Sequence, residues 1–155
     1  MILESCKTVR GIEKTYAFMY NWERKLEWMI AYRRKGMKYI EATSDMANGI
    51  YNVLHTAIKT IYPKYYPKEV VDFFCKHHNK EHILEGIASG NMGVLIYNDV
   101  VVGTGCFDGN HITGVYVLPF YQNQGCGSHI MNCLEKEIAK KYDTAILDAS
   151  LPTVL

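Results

Sequence analysis

The sequence lacks an apolar run of the roughly 20 residues that a membrane-spanning helix needs. Its N-terminus lacks the basic and then apolar order of a signal peptide. The five cysteines are an odd number without a Cys-x-x-Cys pair, which disfavours a disulfide framework or a cysteine-based zinc site. These absences predict a cytoplasmic protein with reduced thiols and no membrane partner.

Three ligand-binding motifs are also absent. Neither the phosphate loop GxxxxGK[ST] nor the dinucleotide fingerprint GxGxxG occurs. His78 and His82 have a four-residue helical spacing, but the residues between them do not form HExxH and no third ligand is evident. We therefore expect no metal site and disfavour a nucleotide-binding fold.

The composition is that of a folded globular chain. Of its 155 residues, 48% are hydrophobic and 21% charged, which is enough apolar material for one domain with a core. Residues 1–36 carry eight Lys or Arg against four Glu, a net charge of +4, which leaves −3 on residues 37–155. This basic segment, which includes a predicted helix over 15–35, can contact nucleic acid or the acidic face of another subunit. A solvated, mainly helical extension is the favoured interpretation, and a nucleic-acid partner is disfavoured.

Downstream of Gly36 the pattern predicts a domain over residues 37–155. A strand over 38–43 precedes a helix that Ser44 or Asp45 can cap and that runs to about Ile61. The next predicted elements are helices over 68–78 and 82–88 and strands over 93–97 and 100–107, which Asn98-Asp99 joins as a hairpin. A strand over 111–118, which Pro119 ends, a helix over 125–141 and a strand over 144–149 follow. In the last helix Ile130, Leu134 and Ile138 recur every four residues and form its buried face.

The turn Gln122-x-x-Gly125-x-Gly127 lies between the strand predicted over 111–118 and the helix predicted over 125–141. Glycines let a backbone approach a ligand closely, and the first amides of a helix have no internal acceptor. With the helix dipole they form an anion site that can hold a pyrophosphate without a lysine. A glycine pair can also mark no more than a tight turn.

The segment Val115-Tyr-Val-Leu-Pro-Phe-Tyr-Gln-Asn-Gln-Gly-Cys-Gly-Ser-His-Ile-Met131 resembles the acetyl-CoA motif of the GNAT acetyltransferase superfamily. The resemblance covers residues 37–155 and implies an α/β (α+β) fold with a mixed, mostly antiparallel sheet flanked by helices. It also implies an acetyl-CoA-dependent N-acetyltransferase. The acetyl group would pass, by direct attack in a ternary complex, to a primary amine of a small molecule or peptide.

The same resemblance assigns site residues. The backbone of Val115, Tyr116 and Val117 would pair with the pantetheine arm of acetyl-CoA. The pyrophosphate would be held by the amides of Gln122, Asn123, Gln124, Gly125, Cys126, Gly127 and Ser128. We expect Cys126 to contribute its backbone rather than a nucleophilic thiol.

His111 stands where the family often has a catalytic glutamate. An imidazole that titrates near neutrality can act as the base, although His111 can also be no more than an exposed histidine at the start of a strand. Thr113 shares its strand face and is a candidate to position a water.

Family members continue beyond the segment that resembles Leu147-Asp-Ala-Ser150 into a helix with a tyrosine acid and then a closing hairpin. Both are expected to be missing, because the sequence stops at Leu155. Three alternatives follow: a truncated chain, a substitute element, or an acyl-CoA-binding or regulatory module without catalysis. The substitute can be the extension 1–36, which would cover the open sheet edge in the same chain or in a homodimer.

Overall fold

The computed structural model describes residues 36–148 and Ser150. The helix predicted over 15–35 and the rest of the N-terminal extension before Gly36 lie outside the described residues. The described elements, in chain order, are β1 (Met37–Glu41), α1 (Ala47–Ile61), α2 (Lys68–His77), α3 (Lys80–Ala88), β2 (Met92–Tyr97), β3 (Val100–Asp108), β4 (His111–Val117), α4 (Cys126–Ile138) and β5 (Ile146–Leu147).

The five strands form one sheet in the order β1-β2-β3-β4-β5. The first four are antiparallel neighbours, whereas β5 runs parallel to β4. Asn98 and Asp99 connect β2 to β3 with φ of 48° and 59°. Two left-handed central residues make the turn that suits a two-residue hairpin, so the predicted hairpin is confirmed.

Helices cover both faces of this sheet. On one face α4 buries Ile130, Leu134 and Ile138 against a group from the sheet that comprises Leu95, Val102, Ile112 and Val117. On the other face α1 and α3 pack against β2 through a second group, which includes Ile50, Leu54, Ile83, Met92 and Val94. The predicted mixed, mostly antiparallel sheet flanked by helices is confirmed, as is the buried face of the long helix.

Two glycines of β3 let α4 lie close to the sheet. A Cβ atom at Gly103 would stand 2.8 Å from the Cδ1 of Ile130, and one at Gly105 would stand 2.5 Å from the Cγ2 of the same side chain. Both distances are too short for real Cβ contacts. The absence of these two side chains therefore fixes the height of α4 above β3 and so the position of its first turn.

Several predicted boundaries were wrong. Helix α4 ends at Ile138 rather than Lys141. Strand β5 comprises two exposed residues rather than 144–149. It starts late because the chain first joins the sheet where the amide of Ile146 donates to the carbonyl of Asn110 at 2.9 Å.

The predicted caps of the first helix were also wrong. Neither Ser44 nor Asp45 caps α1, because both belong to a 3₁₀ turn that precedes it, and the carboxylate of Asp45 accepts a hydrogen bond from the Thr43 hydroxyl at 2.6 Å instead. None of the helices in the described part of the chain is both long and apolar enough to cross a membrane.

Candidate active site

A slot opens beside β4 because β5 pairs with it only briefly. The parallel pairing joins His111 to Ile146 and Ile112 to Leu147, and within the described residues it stops there. From Thr113 onward, the edge of β4 that faces away from β3 has no neighbouring strand in the described part of the chain. The strand pairing thus ends at Ile112, and we call the junction of β5 with the unpaired edge of β4 the V, with its closed end at Ile112.

Backbone alternation decides which groups of β4 face this slot. The amide of Leu118 donates to the carbonyl of Val102 on β3 at 2.9 Å. Since directions alternate along an antiparallel pair, the N–H and C=O groups of Val115 and Val117 point away from β3, into the slot. The backbone of Tyr116 points toward β3, so its predicted pairing with pantetheine was wrong for this strand geometry.

A β-bulge distorts β4 at the closed end of the slot. Cys106 of β3 pairs with Gly114, but the next residue, Phe107, pairs with Ile112, which leaves Thr113 as the extra residue. The Thr113 hydroxyl donates to the thiol of Cys106 at 3.2 Å. Thr113 therefore lies where the pairing of β4 with β5 ends. Its hydroxyl proton is used in the bond to Cys106, but its oxygen can still accept a hydrogen bond.

The turn between β4 and α4 has the conformation that its glycine requires. Gly125 has a φ of 81° and is the N-cap of α4. The first hydrogen bond across this terminus runs from the amide of His129 to the carbonyl of Gly125 at 3.0 Å. The amides of Gly127 and Ser128 precede that bond, so they lie in the helix turn whose donors have no acceptor within the helix.

Side chains of this turn stabilise it through hydrogen bonds to nearby carbonyls and a contact with the core. The Gln122 side-chain amide donates to the carbonyl of Val117 at 2.9 Å, and that of Gln124 donates to the carbonyl of Phe120 at 2.7 Å. Cys126 is 2% exposed, and its sulfur lies 3.6 Å from the sulfur of Met37. The Cys126 thiol thus points into the core, while its backbone belongs to the first turn of α4.

Alanine at Gly125 is expected to weaken coenzyme A binding about tenfold. A left-handed backbone costs an L-residue about 1–2 kcal/mol, and about 1.4 kcal/mol changes an equilibrium constant tenfold. The turn can relieve this strain only by turning its amides away from the anion. Isothermal titration with coenzyme A would measure the effect.

The matched control is Gly90→Ala, which imposes the same left-handed strain, at a φ of 72°, between α3 and β2 and so outside this turn. It should bind coenzyme A within about threefold of the wild type, a difference of well under 1.4 kcal/mol. Equal affinity in the Gly125→Ala variant and the wild type would contradict the assignment of this turn.

The predicted base, His111, lies at the closed end of the V. Its Nε2 atom is buried and stands 3.1 Å from Oδ2 of Asp148, although the two atoms are not aligned as a hydrogen bond. His111 and Thr113 thus flank Ile112, one on each side of the point where the strands part, and each has a different partner. Sequence reasoning did not single out Asp148.

Comparison with known proteins identifies the family and the fold. The family model described as an acetyltransferase (GNAT) domain matches residues 61–152, more than half of the chain. The chain belongs to the GNAT acetyltransferase family. The predicted membership is confirmed, and with it an acetyltransferase activity in general terms. No curated protein matches the sequence.

Solved structures share the GNAT fold with this chain. A GCN5-related N-acetyltransferase from Rhodopseudomonas palustris superposes with a TM-score of 0.69 at 20% identity, over 76% of this chain and 75% of that one. PaiA N-acetyltransferase from Thermoplasma acidophilum, solved with coenzyme A, gives 0.61 at 16% identity over 68% and 73%. A GNAT family acetyltransferase from Brucella melitensis, solved with acetyl-CoA, gives 0.55 at 19% identity over 74% and 77%.

A polar cluster on the other face of this GNAT sheet was not foreseen. The Tyr116 hydroxyl lies 3.1 Å from Nε2 of His78, which follows α2. Nε2 of His55 in α1 donates to the carbonyl of His78 at 3.0 Å, since a carbonyl can only accept. Burial above all, and then neighbouring Tyr62, raise the pKa of Tyr116, so its hydroxyl stays protonated. The cluster joins α1 and the end of α2 to β4.

The tyrosines after α1 differ in burial. Tyr62 is 7% exposed and packs with Ile58 and Val71, with its ring edge-on to Phe74 at 5.0 Å between centroids. Tyr65 is exposed. Tyr62 therefore belongs to the core of this GNAT domain.

The stability of the domain should fall in acid because of His78. Burial, and then repulsion from His77, His82 and His55, lowers the pKa of His78 from 6.5 to about 4. As pH falls from 6.5 to 4, the unfolded chain takes up this proton first, so the free energy of unfolding decreases across that window. Since water reaches part of the ring, we expect a loss of about 2 kcal/mol.

Urea unfolding at pH 7.0 and pH 4.5 would measure this loss. A His78→Gln variant should be less stable at pH 7.0 but lose less on acidification than the wild type. His129→Gln removes an exposed imidazole at the start of α4 and should keep the wild-type dependence. Equal acid losses in the wild type and His78→Gln would exclude His78 as the source.

Proposed function

We propose that this chain is an acetyl-CoA-dependent N-acetyltransferase whose acceptor is a primary amine of a small molecule or peptide. The observation that carries the proposal is the V between β4 and β5, which leads from the bulge at Thr113 to the first-turn amides of α4. Two structures with the same fold are described as complexes with coenzyme A and with acetyl-CoA, which supports acetyl-CoA as the cosubstrate.

The polar groups along this slot match the successive parts of the elongated coenzyme. The amides of Gly127 and Ser128, with the dipole of the 13-residue helix α4 behind them, favour the pyrophosphate. The backbone groups of Val115 and Val117 pair with the pantetheine arm like an added strand. Because Val117 also accepts from Gln122, its carbonyl serves both the turn and the arm through its two lone pairs. The thioester then lies toward the bulge.

The reaction joins the amine nitrogen to the acetyl carbon and breaks the carbon–sulfur bond. The nitrogen must lose a proton and the departing thiolate must gain one, which gives an N-acetyl amine and free coenzyme A. His111 takes the proton from the amine, directly or through a water that donates its other hydrogen to the Thr113 oxygen. Holding the two substrates in one slot supplies much of the acceleration.

The proposal includes the wider setting predicted from the sequence. The acetyltransferase domain comprises residues 37–155, and residues 1–36 form a separate basic extension that can contribute to a homodimer. The protein acts in the cytoplasm, without a nucleic-acid partner.

Release of free coenzyme A from acetyl-CoA, followed with a thiol reagent, tests the proposal. The assay compares a panel of primary amines, comprising small diamines, aromatic amines and peptides with free N-termini or lysines, with an amine-free blank. Amine-dependent release, with the N-acetyl product identified by mass spectrometry, is the expected result. Tight binding of acetyl-CoA without release for any amine would instead favour the acyl-CoA-binding module.

A further inference from the structure

Asp148 follows β5 directly and stands next to the predicted base of the neighbouring strand. The parallel register sets His111 opposite Ile146 and brings Oδ2 of Asp148 to 3.1 Å from Nε2 of His111. That nitrogen is enclosed and makes no hydrogen bond to the described residues, whereas the carboxylate is 87% exposed. Rotation of this exposed side chain would bring the oxygen into line with the enclosed nitrogen.

The chemistry of the two groups determines where the imidazole proton resides. An ionised carboxylate only accepts hydrogen bonds, so it favours the neutral tautomer that carries its proton on Nε2. Nδ1 then carries the lone pair and is the nitrogen that can accept a proton. Once it has done so, the carboxylate stabilises the resulting imidazolium by its opposite charge.

We propose that Asp148 is a positioning residue for acetyl transfer, which holds His111 in the tautomer protonated on Nε2 so that Nδ1 takes the proton from the acceptor amine. This inference rests on the proposed function for its catalytic consequence, but its structural content concerns the free protein. The pair lies where β4 and β5 part, at the end of the slot toward which the thioester points.

A second carboxylate provides a matched control. Asp108, at the end of β3, is the register partner of His111 on the opposite side and is exposed like Asp148. The Tyr142 hydroxyl lies near the turn that precedes His111, 3.6 Å from where a Cβ atom at Gly109 would stand. Asp108→Asn removes the same charge from the neighbourhood of His111 without touching the 3.1 Å contact.

The tautomer can be read in the free protein by long-range ¹H–¹⁵N correlation spectra of the full chain labelled with ¹⁵N. At a pH where His111 is neutral, the wild type and Asp108→Asn should show the Nε2–H form. Asp148→Asn should show a mixture of tautomers, and Asp148→Glu should restore most of the wild-type pattern. An unchanged Nε2–H preference in Asp148→Asn would overturn the proposal.

Kinetic measurements test the catalytic part of the proposal. Asp148→Asn should lower kcat about three- to tenfold, far less than the loss at the buried aspartate of a catalytic triad because Asp148 is exposed, with the KM for acetyl-CoA unchanged. Combined with His111→Ala it should cause no further loss, because Asp148 acts only through the imidazole. An additive loss in the double variant would overturn the positioning role. If the wild type transfers no acetyl group, the proposed function fails, while the spectra still decide the tautomer.

Discussion

Replacing His111 with alanine is expected to lower kcat for acetyl transfer by a factor of about 100 to 10,000, the range that a positioned general base supplies. The dissociation constant of acetyl-CoA should stay within about twofold of the wild-type value, a difference below 0.5 kcal/mol. The reason is spatial: His111 lies at the closed end of the V, away from the turn at Gly125 that we propose as the pyrophosphate site. Steady-state release of coenzyme A and isothermal titration measure the two quantities.

His82→Ala is a suitable control for this variant. Its imidazole is exposed, lies on α3 and contacts Glu85 rather than the slot. Its turnover should match the wild type. If His111→Ala retained full turnover across the pH range, the base would have to be another group and His111 would be a surface histidine at the start of β4.

Alanine at Gly105 is expected to reduce the free energy of unfolding by about 3 kcal/mol, the upper part of the range for overpacking. The new Cβ atom would stand 2.5 Å from Ile130 and 2.9 Å from Leu134. Both side chains are at most 1% exposed, so neither can move aside into solvent. Helix α4 must then rise from β3 and carry the pyrophosphate turn with it. Urea unfolding and coenzyme A titration on the same variant would show both effects.

Gly127→Ala provides the contrast, since no protein atom lies within 4 Å of a Cβ atom at Gly127 and this residue is in a helix. It should leave stability unchanged or raise it by about 0.5 kcal/mol, because alanine narrows the unfolded ensemble. Equal stability of Gly105→Ala and the wild type would show that α4 does not depend on the glycines of β3 for its position.

Local pattern predicted the elements that make the slot. The Asn98-Asp99 turn, the proline after β4 and the four-residue repeat of Ile130, Leu134 and Ile138 each record a constraint that acts over a few residues. The Gln122 to Ser128 turn is of the same kind, because left-handed Gly125 and the helix amides are adjacent in sequence. These features were therefore predictable, and family membership confirms the fold to which they point.

Contacts between distant residues were not predictable in this way. Tyr116, His78 and His55 come from β4, the end of α2 and α1, and nothing near any of them in sequence indicates the other two. Asp148 meets His111 only because β5 pairs parallel to β4 in one register. The direction of the Tyr116 backbone depends likewise on its pairing with β3. Such placements follow from tertiary packing, which local propensity does not encode.

The binding of acetyl-CoA between β4 and the start of α4 is the central claim, and a titration of coenzyme A into the ¹⁵N-labelled full chain tests it most directly. In ¹H–¹⁵N correlation spectra, the amides of Val115, Val117, Gly127 and Ser128 should show the largest shifts and a common dissociation constant. Shifts centred elsewhere, or none at millimolar coenzyme A, would contradict it.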